Sequence, residues 1–311
     1  GMDSRIGGLD YRRTFRSAAI AFADLVSRIP AERPDGPGLG EWTLRELLGH
    51  TAGSALLQVP EHLGTRGIAV DDTPDNALRR RYLVTTYVPG RVVDGTAWTH
   101  QMLDAHTEQL ARLHDATPPR DDVPPVPPEP RDLAAELSAG FTGWCASAPQ
   151  AAVSSSAGAL VRPAVEHLRA RRWAFRRPGP PVLVHGDAVA TNVVFDEDGA
   201  PRYIDWEWAH TGDVAQDLAY TGGQVHGGPW YVPMSSEQVE AQVRHYLAAR
   251  RTVEATAEAL EVLLARRQAW EVYERFVSSL HFERVHRSSA DGERYGPWVA
   301  TQRETLGTLL A

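Results

Sequence analysis

The sequence predicts an α+β chain in which helices outnumber strands, and three observations carry the prediction. Apolar residues recur at helical spacing near the start of the chain and from Ser236 to Leu310. The stretch "RYLVTTYVPGR", 81–91, alternates apolar and polar positions, is rich in β-branched residues and ends in a Pro-Gly turn. The stretch "VLVHGDAVATNVVFDEDGAPRYIDWEWAHTGD", 182–213, alternates short β-rich runs with turn residues.

Taken in order, Phe15, Ala18, Ala19, Phe22, Leu25, Val26 and Ile29 define an amphipathic helix from about Tyr11 to Ile29. After the loop "PAERPDGPGLGE", Thr43 caps a second helix from about Leu44 to Val59. Glu46 reaches back across the capping box, and Trp42 staples to Leu47. The alternating stretch 81–91, a strand entering a loop, follows, then a helix over Ala97–Ala116. Seven prolines between Pro118 and Pro130 make the linker 117–131 an extended polyproline-like connector. Helices are expected over Leu133–Ala146 and Ala157–Phe175, and almost throughout from Ser236 to Leu310. Between them, Val182–Val184 deliver the chain to His185-Gly186-Asp187. A hairpin through "DEDG" then returns it to Asp205, so that Asp187, Asn192 and Asp205 converge. "DEDG" lacks the further ligands of a calcium loop and is a turn.

Composition bounds the function. A chain of 311 residues with 42% hydrophobic content builds a core easily. Its net charge of −8 with scattered Arg excludes nucleic-acid and anionic-membrane partners and suits a cationic small molecule better. No run of eighteen apolar residues and no apolar signal core is present, which reads as a cytoplasmic protein. One cysteine, Cys145, rules out an internal disulfide and reads as a buried small hydrophobe. All 32 basic residues are Arg, so no step can use a lysine.

The motif has a chemical logic. Phosphoryl transfer asks for a carboxylate that orients and deprotonates an acceptor hydroxyl, and for hard oxygen ligands that hold a divalent cation against phosphates. Asp187 suits the first role, Asn192 and Asp205 the second. His185 reads as a structural residue that holds the loop by hydrogen bonds. Residues His185, Gly186, Asp187, Asn192, Ile204, Asp205, Trp206, Glu207, Gly212, Asp213, Asp217, Leu218 and Ala219 together resemble the signature of the aminoglycoside phosphotransferase and choline kinase-like family. "YLVTTYVPGR" is similar to the hinge strand of that family, and "LARLH" to the end of its first large-lobe helix.

That resemblance, over about residues 81–311, implies a protein kinase-like large lobe that uses Mg²⁺ with ATP or GTP and a small-molecule hydroxyl acceptor. It implies Asp187 as catalytic base and Asn192 and Asp205 as metal ligands. Glu207 faces either the metal or neighbouring backbone, Asp213 and Asp217 brace the loop, and Thr85, Thr86, Tyr87 and Val88 form the nucleotide hinge. Residues 1–80 differ from a kinase small lobe. No glycine-rich phosphate loop and no lysine is visible there, and a largely helical N-terminal region is expected to replace the β-sheet. Arg45 and Arg79–Arg81 are the nearest candidates for a guanidinium clamp on the phosphates.

Residues 11–65 also resemble the N-terminal helix pair of mycothiol-dependent maleylpyruvate isomerases and DinB-like bundles. By that resemblance His50 is an alternative metal ligand, with His100, His106 and Glu108 as nearby partners. Three functions follow: a small-molecule phosphotransferase, a catalytically inactive kinase-like ligand-binding protein, or a metal- or mycothiol-dependent bundle enzyme.

Overall fold

The computed structural model describes residues 64, 67–71, 82–116, 131–147, 157–176, 182–288, 293 and 295–311. The two N-terminal helices, His50, Arg45, Arg79–Arg81 and most of the proline linker lie outside the described residues. The chain divides into two compact units, one of residues 1–56 and 67–85, the other of 57–66 and 86–311.

In the first unit, β1 (Gly67–Asp71) pairs antiparallel with β2 (Tyr82–Thr85), with Val70 opposite Leu83 and an irregularity between Gly67 and Ala69. The sequence reading assigned no element to "GIAVD". Five residues give too little periodicity, and its pairing partner lies more than ten residues on.

The second unit is mostly helical. Asp94 caps a 3₁₀ turn at Gly95–Ala97, and Thr99 then caps α1 (His100–Asp115) by accepting from Met102 N. The expected helix over Ala97–Ala116 therefore starts three residues late, where the cap side chain is. Along α1, Leu103, His106, Leu110, Leu113 and His114 are buried, while Asp104 and Arg112 are exposed. α2 (Leu133–Ser147) and α3 (Ala157–Ala170) follow, and the expected continuation to Phe175 is a separate 3₁₀ turn, Arg172–Phe175. Cys145 on α2 is half-buried rather than buried.

Three small strands frame the next stretch. β3 (Arg91–Val92), β5 (Val193–Phe195) and β6 (Pro201–Tyr203) form an antiparallel sheet in the order β3-β5-β6. β4 (Val182–Val184) pairs antiparallel with β7 (His210–Gly212). α4 (Val214–Thr221) leads into β8 (Gly222–Gly223), which pairs in parallel with β9 (Val232–Pro233). Among the described residues the C-terminal stretch forms three helices: α5 (Ser236–Ala249), begun by a Ser235–Gln238 capping box, α6 (Ala257–Ser288) and α7 (Tyr295–Leu310). Their inner faces join Leu110, Leu113, Leu137, Leu168, Leu218, Trp270 and Phe276 in one core. No described helix is long and apolar enough to cross a membrane.

Candidate active site

Strand β4 is fully apolar and buried, and its end delivers His185 into the core. The chain must then turn sharply, and Gly186 does so at φ +79°; a Cβ there would stand 2.2 Å from the carbonyl oxygen of Trp208. Two successive backbone N–H groups, of His185 and Gly186, donate to the two carboxylate oxygens of Asp217 at 2.7 and 2.9 Å. The His185 ring is also committed. Nε2 donates to Ile204 O at 2.9 Å, and Nδ1 accepts from Asp187 N at 3.3 Å. Burial lowers the pKa of this imidazole, so it is neutral and in a single tautomer.

Asp187 is half-buried at the tip of this turn. Asn192, in the 3₁₀ turn Ala190–Asn192, donates from Nδ2 to both Asp187 O (2.9 Å) and Asp187 Oδ2 (2.8 Å). The hairpin closes the arrangement. Val193 stands opposite Tyr203, and Ile204 N donates to Asn192 O at 3.0 Å. "DEDG" turns as a turn should, with Asp196 Oδ1 accepting from Asp198 N and Ala200 N. Asp205 follows Ile204 directly, at φ 63° and ψ 63°. Among the described residues it is the one non-glycine residue at positive φ, a conformation that Asp tolerates better than most side chains but that still costs energy. Such strain concentrates at functional sites.

The remaining expected site residues are spread more widely. Asp217 is fully buried beneath the turn. Desolvation raises its pKa, but hydrogen bonds and charge from His114 and His185 outweigh this and hold it below the usual carboxylate range. Asp213 caps α4 through Ala215 N and accepts from Arg266 Nε and Trp270 Nε1, so its described bonds tie α4 to α6 rather than to the 185–187 turn. Glu207 lies in the 3₁₀ turn Trp206–Trp208, and its side chain is outside the described residues. Thr85 ends β2, and Thr86, Tyr87 and Val88 follow outside the named strands, Tyr87 exposed and Val88 buried. His100, His106 and Glu108 do not gather. His100 is exposed, His106 is buried between Thr221 Oγ1 and Tyr203 OH, and Glu108 meets Arg112 and His245.

Residues that the sequence reading missed complete the surroundings. Tyr220 OH donates to Glu274 Oε2 at 2.7 Å. Burial, and behind it the charges of Glu274 and Asp187, raise the Tyr220 phenol well above its ordinary value. Burial likewise raises Glu274, and Tyr231, where Asp187 adds to the effect. Tyr220 directly follows Asp217-Leu218-Ala219, and that adjacency was the available clue; Glu274 lies 54 positions from its phenol partner and had none.

Among the described residues no group of three His, Cys, Asp or Glu side chains gathers as a metal cage. A magnesium site does not need one, because Mg²⁺ is commonly held by one or two protein oxygens, water and substrate phosphates. With Nδ2 of Asn192 turned to Asp187, the amide oxygen of Asn192 and the carboxylates of Asp205 and Asp187 are hard donors of the kind Mg²⁺ takes. A separate cavity of about 400 Å³, lined by Gly90, Arg91, Met102, Phe195 and the hairpin turn, contains none of the expected site residues.

Comparison with known proteins bears on the fold and the family. Three solved structures share the fold at low identity. A choline/ethanolamine kinase family protein from Mesorhizobium loti matches at TM-score 0.53 and 15% identity over 93% of this chain and 94% of that one. The ethanolamine kinase of Plasmodium vivax matches at 0.52 and 14%, over 79% and 67%. The GDP and kanamycin complex of APH(2")-IIia matches at 0.52 and 15%, over 92% and 82%. The architecture is thus the protein kinase-like one, mostly helical with few strands. No curated protein matches the chain. The model of the family described as "Phosphotransferase enzyme family" matches residues 23–276. That match begins well before residue 81 and takes in much of the segment for which the isomerase-like resemblance was drawn; nothing in these comparisons supports that second resemblance. The chain belongs to the phosphotransferase enzyme family.

Proposed function

We propose that the chain transfers the terminal phosphoryl group of ATP or GTP to a hydroxyl of a small molecule, with Asp187 as the base. The observation that carries this reading is the double hydrogen bond from Asn192 Nδ2 to the backbone and carboxylate of Asp187. It holds one carboxylate rotamer on a turn that Asp217 fixes from below. A base so held can accept the hydroxyl proton as the new O–P bond forms and the bond to the leaving nucleoside diphosphate breaks. Asn192 and Asp205, with Glu207 as a further candidate ligand, would hold Mg²⁺, which supplies charge neutralisation at the phosphates. Thr85–Val88 would hold the nucleotide base. The chain has no lysine, so a guanidinium would take the place of an ammonium on the phosphates. The net charge of −8 favours a cationic acceptor.

Calorimetric titration with ATP and with GTP, with and without Mg²⁺, tests the reading. Binding that requires Mg²⁺ and is lost in Asp205→Ala is expected. Binding of neither nucleotide, or binding indifferent to Mg²⁺, would favour a kinase-like ligand-binding protein without transfer.

A further inference from the structure

The Asp217 carboxylate that holds the His185–Gly186 backbone takes a third hydrogen bond, from His114 Nε2 on α1 at 3.1 Å. His114 Nδ1 stands 2.7 Å from Tyr246 OH on α5. Arg250 Nη1, just past the end of α5, lies 2.6 Å from the same hydroxyl, and Arg250 Nε donates to Asp115 Oδ1 at 2.7 Å. All four of Asp217, His114, Tyr246 and Arg250 are buried.

The direction of this chain of bonds follows from its ends. A guanidinium can only donate, so the Tyr246 oxygen accepts from Arg250 and its single hydrogen is left to point at His114 Nδ1. In the neutral ring Nδ1 then accepts, and the ring proton sits on Nε2, facing Asp217. A carboxylate held by two backbone N–H groups can only accept, so every donor and acceptor in the series is matched. Burial raises the Tyr246 phenol, which keeps it protonated and a donor. Without the hydroxyl the Asp217 carboxylate alone selects this tautomer and Nδ1 loses its donor, so the ring is held from one side only.

We propose that Tyr246 and Arg250 are positioning residues for the turn that carries Asp187: from the side opposite Asp217 they hold the His114 ring in the tautomer and orientation whose N–H meets Asp217, and through it the amides of His185 and Gly186. No described hydrogen bond joins either to the turn, and both lie more than fifty residues beyond it in the chain. The consequence for turnover rests on the phosphotransferase reading; the consequence for the turn does not.

Tyr246→Phe removes one oxygen and little volume, and residue-level hydrogen exchange on the full chain reads its effect. Exchange of the His185 and Gly186 amides is expected to quicken about tenfold, as for one weakened buried hydrogen bond, with the α6 amides unchanged. Hydrolysis of Mg²⁺-ATP with water as acceptor is expected to slow about three- to tenfold at unchanged KM, a loss confined to the reacting state. In a His114→Gln background the amide N–H needs no tautomer to donate, so adding Tyr246→Phe is expected to leave those two amides as they were. Arg250→Met should repeat the single-variant result more weakly. Equal increments in both backgrounds, no local increment, or loss of folding in both Tyr246→Phe and Arg250→Met would each overturn the proposal. Local exchange as expected but no Mg²⁺-ATP turnover in the parent chain would uphold the positioning role and sink the phosphotransferase reading instead.

Discussion

The 182–217 segment and helix α6 both bury charge, but they differ in where the partners come from. In the first, His185, Asp187, Asn192 and Asp217 satisfy one another within about thirty-two positions, and the links are short loops, one hairpin and one helix cap. In α6, Arg267, Glu271 and Arg275 recur at every fourth residue and would read from spacing alone as a solvated stripe of ion pairs. They are buried instead. Arg267 donates to Gly222 O, Gln242 Oε1 and Glu271 Oε2, and Arg275 to Ala219 O and Val225 O, while Glu271 Oε1 accepts from Val225 N. α4 ends and β8 begins in the core, so their backbone groups need partners that water cannot supply. Helix α6 supplies them. The comparison separates polar residues whose work is local geometry, legible from spacing, from polar residues whose work is to satisfy a distant backbone, legible from nothing short of the fold.

Breaking the first region should cost chemistry and spare the fold. Asp187→Ala is expected to lower turnover by about 10²- to 10⁴-fold while nucleotide affinity and melting temperature stay near the parent values, since the side chain is half-buried and its main packing role is to accept from Asn192. Steady-state kinetics beside a thermal melt reads both, and parent-like turnover would remove Asp187 from the mechanism.

Breaking the second should do the reverse. Glu271→Ala leaves the fully buried Arg267 guanidinium without its counter-charge and Val225 N without its acceptor. Chemical denaturation is expected to show a loss of about 3–5 kcal/mol, whereas Glu271→Gln, which keeps an acceptor, should lose less. A loss under about 1 kcal/mol for Glu271→Ala would mean that α6 and the α4–β8 corner are less interdependent than the hydrogen bonds indicate.

Acid sharpens the contrast with a smaller effect. Burial lowers the His106 pKa from 6.5 to about 3, and burial with the Arg171 charge lowers that of His167 from 6.5 to about 4. Both are therefore neutral in the fold and ordinary when unfolded. As pH falls below 6.5 the unfolded chain binds protons that the folded chain refuses, so stability present above 6.5 declines down to about pH 4 and, for His106, to about 3. The expected slope is about 1.4 kcal/mol per pH unit for each such histidine at most. His106→Gln should remove about one proton from the pH dependence of unfolding; an unchanged slope between pH 6 and 5 would contradict a neutral His106.

Much of the candidate site was legible because its chemistry is written at short range. A glycine that must turn, an Asn five residues after an Asp, and a four-residue turn that folds the strand back on itself constrain one another whatever surrounds them. The DEDG turn and the helices of the second unit follow from equally local causes, caps and apolar spacing. What was misjudged lay where local cues are weak. Strand β1 was passed over because "GIAVD" acquires its conformation from pairing with Tyr82–Thr85. The helix expected from Ala157 to Phe175 breaks at Ala170, and Cys145 is half-buried where a buried side chain was expected.

By itself, then, the amino-acid sequence determined the helical character of the second unit, the turn that carries Asp187 and the hairpin that brings Asp205 back toward it, since each depends on residues close along the chain and on backbone sterics. Only the tertiary structure decided that Asp205 takes a left-handed backbone, that Tyr246 and Arg250 orient His114 beneath Asp217, that Tyr220 meets Glu274, and that the charges of α6 face inward. The physical reason is common to the last three. A buried polar group must find its partner wherever the packed chain happens to bring one, and the distance along the sequence carries no record of that meeting.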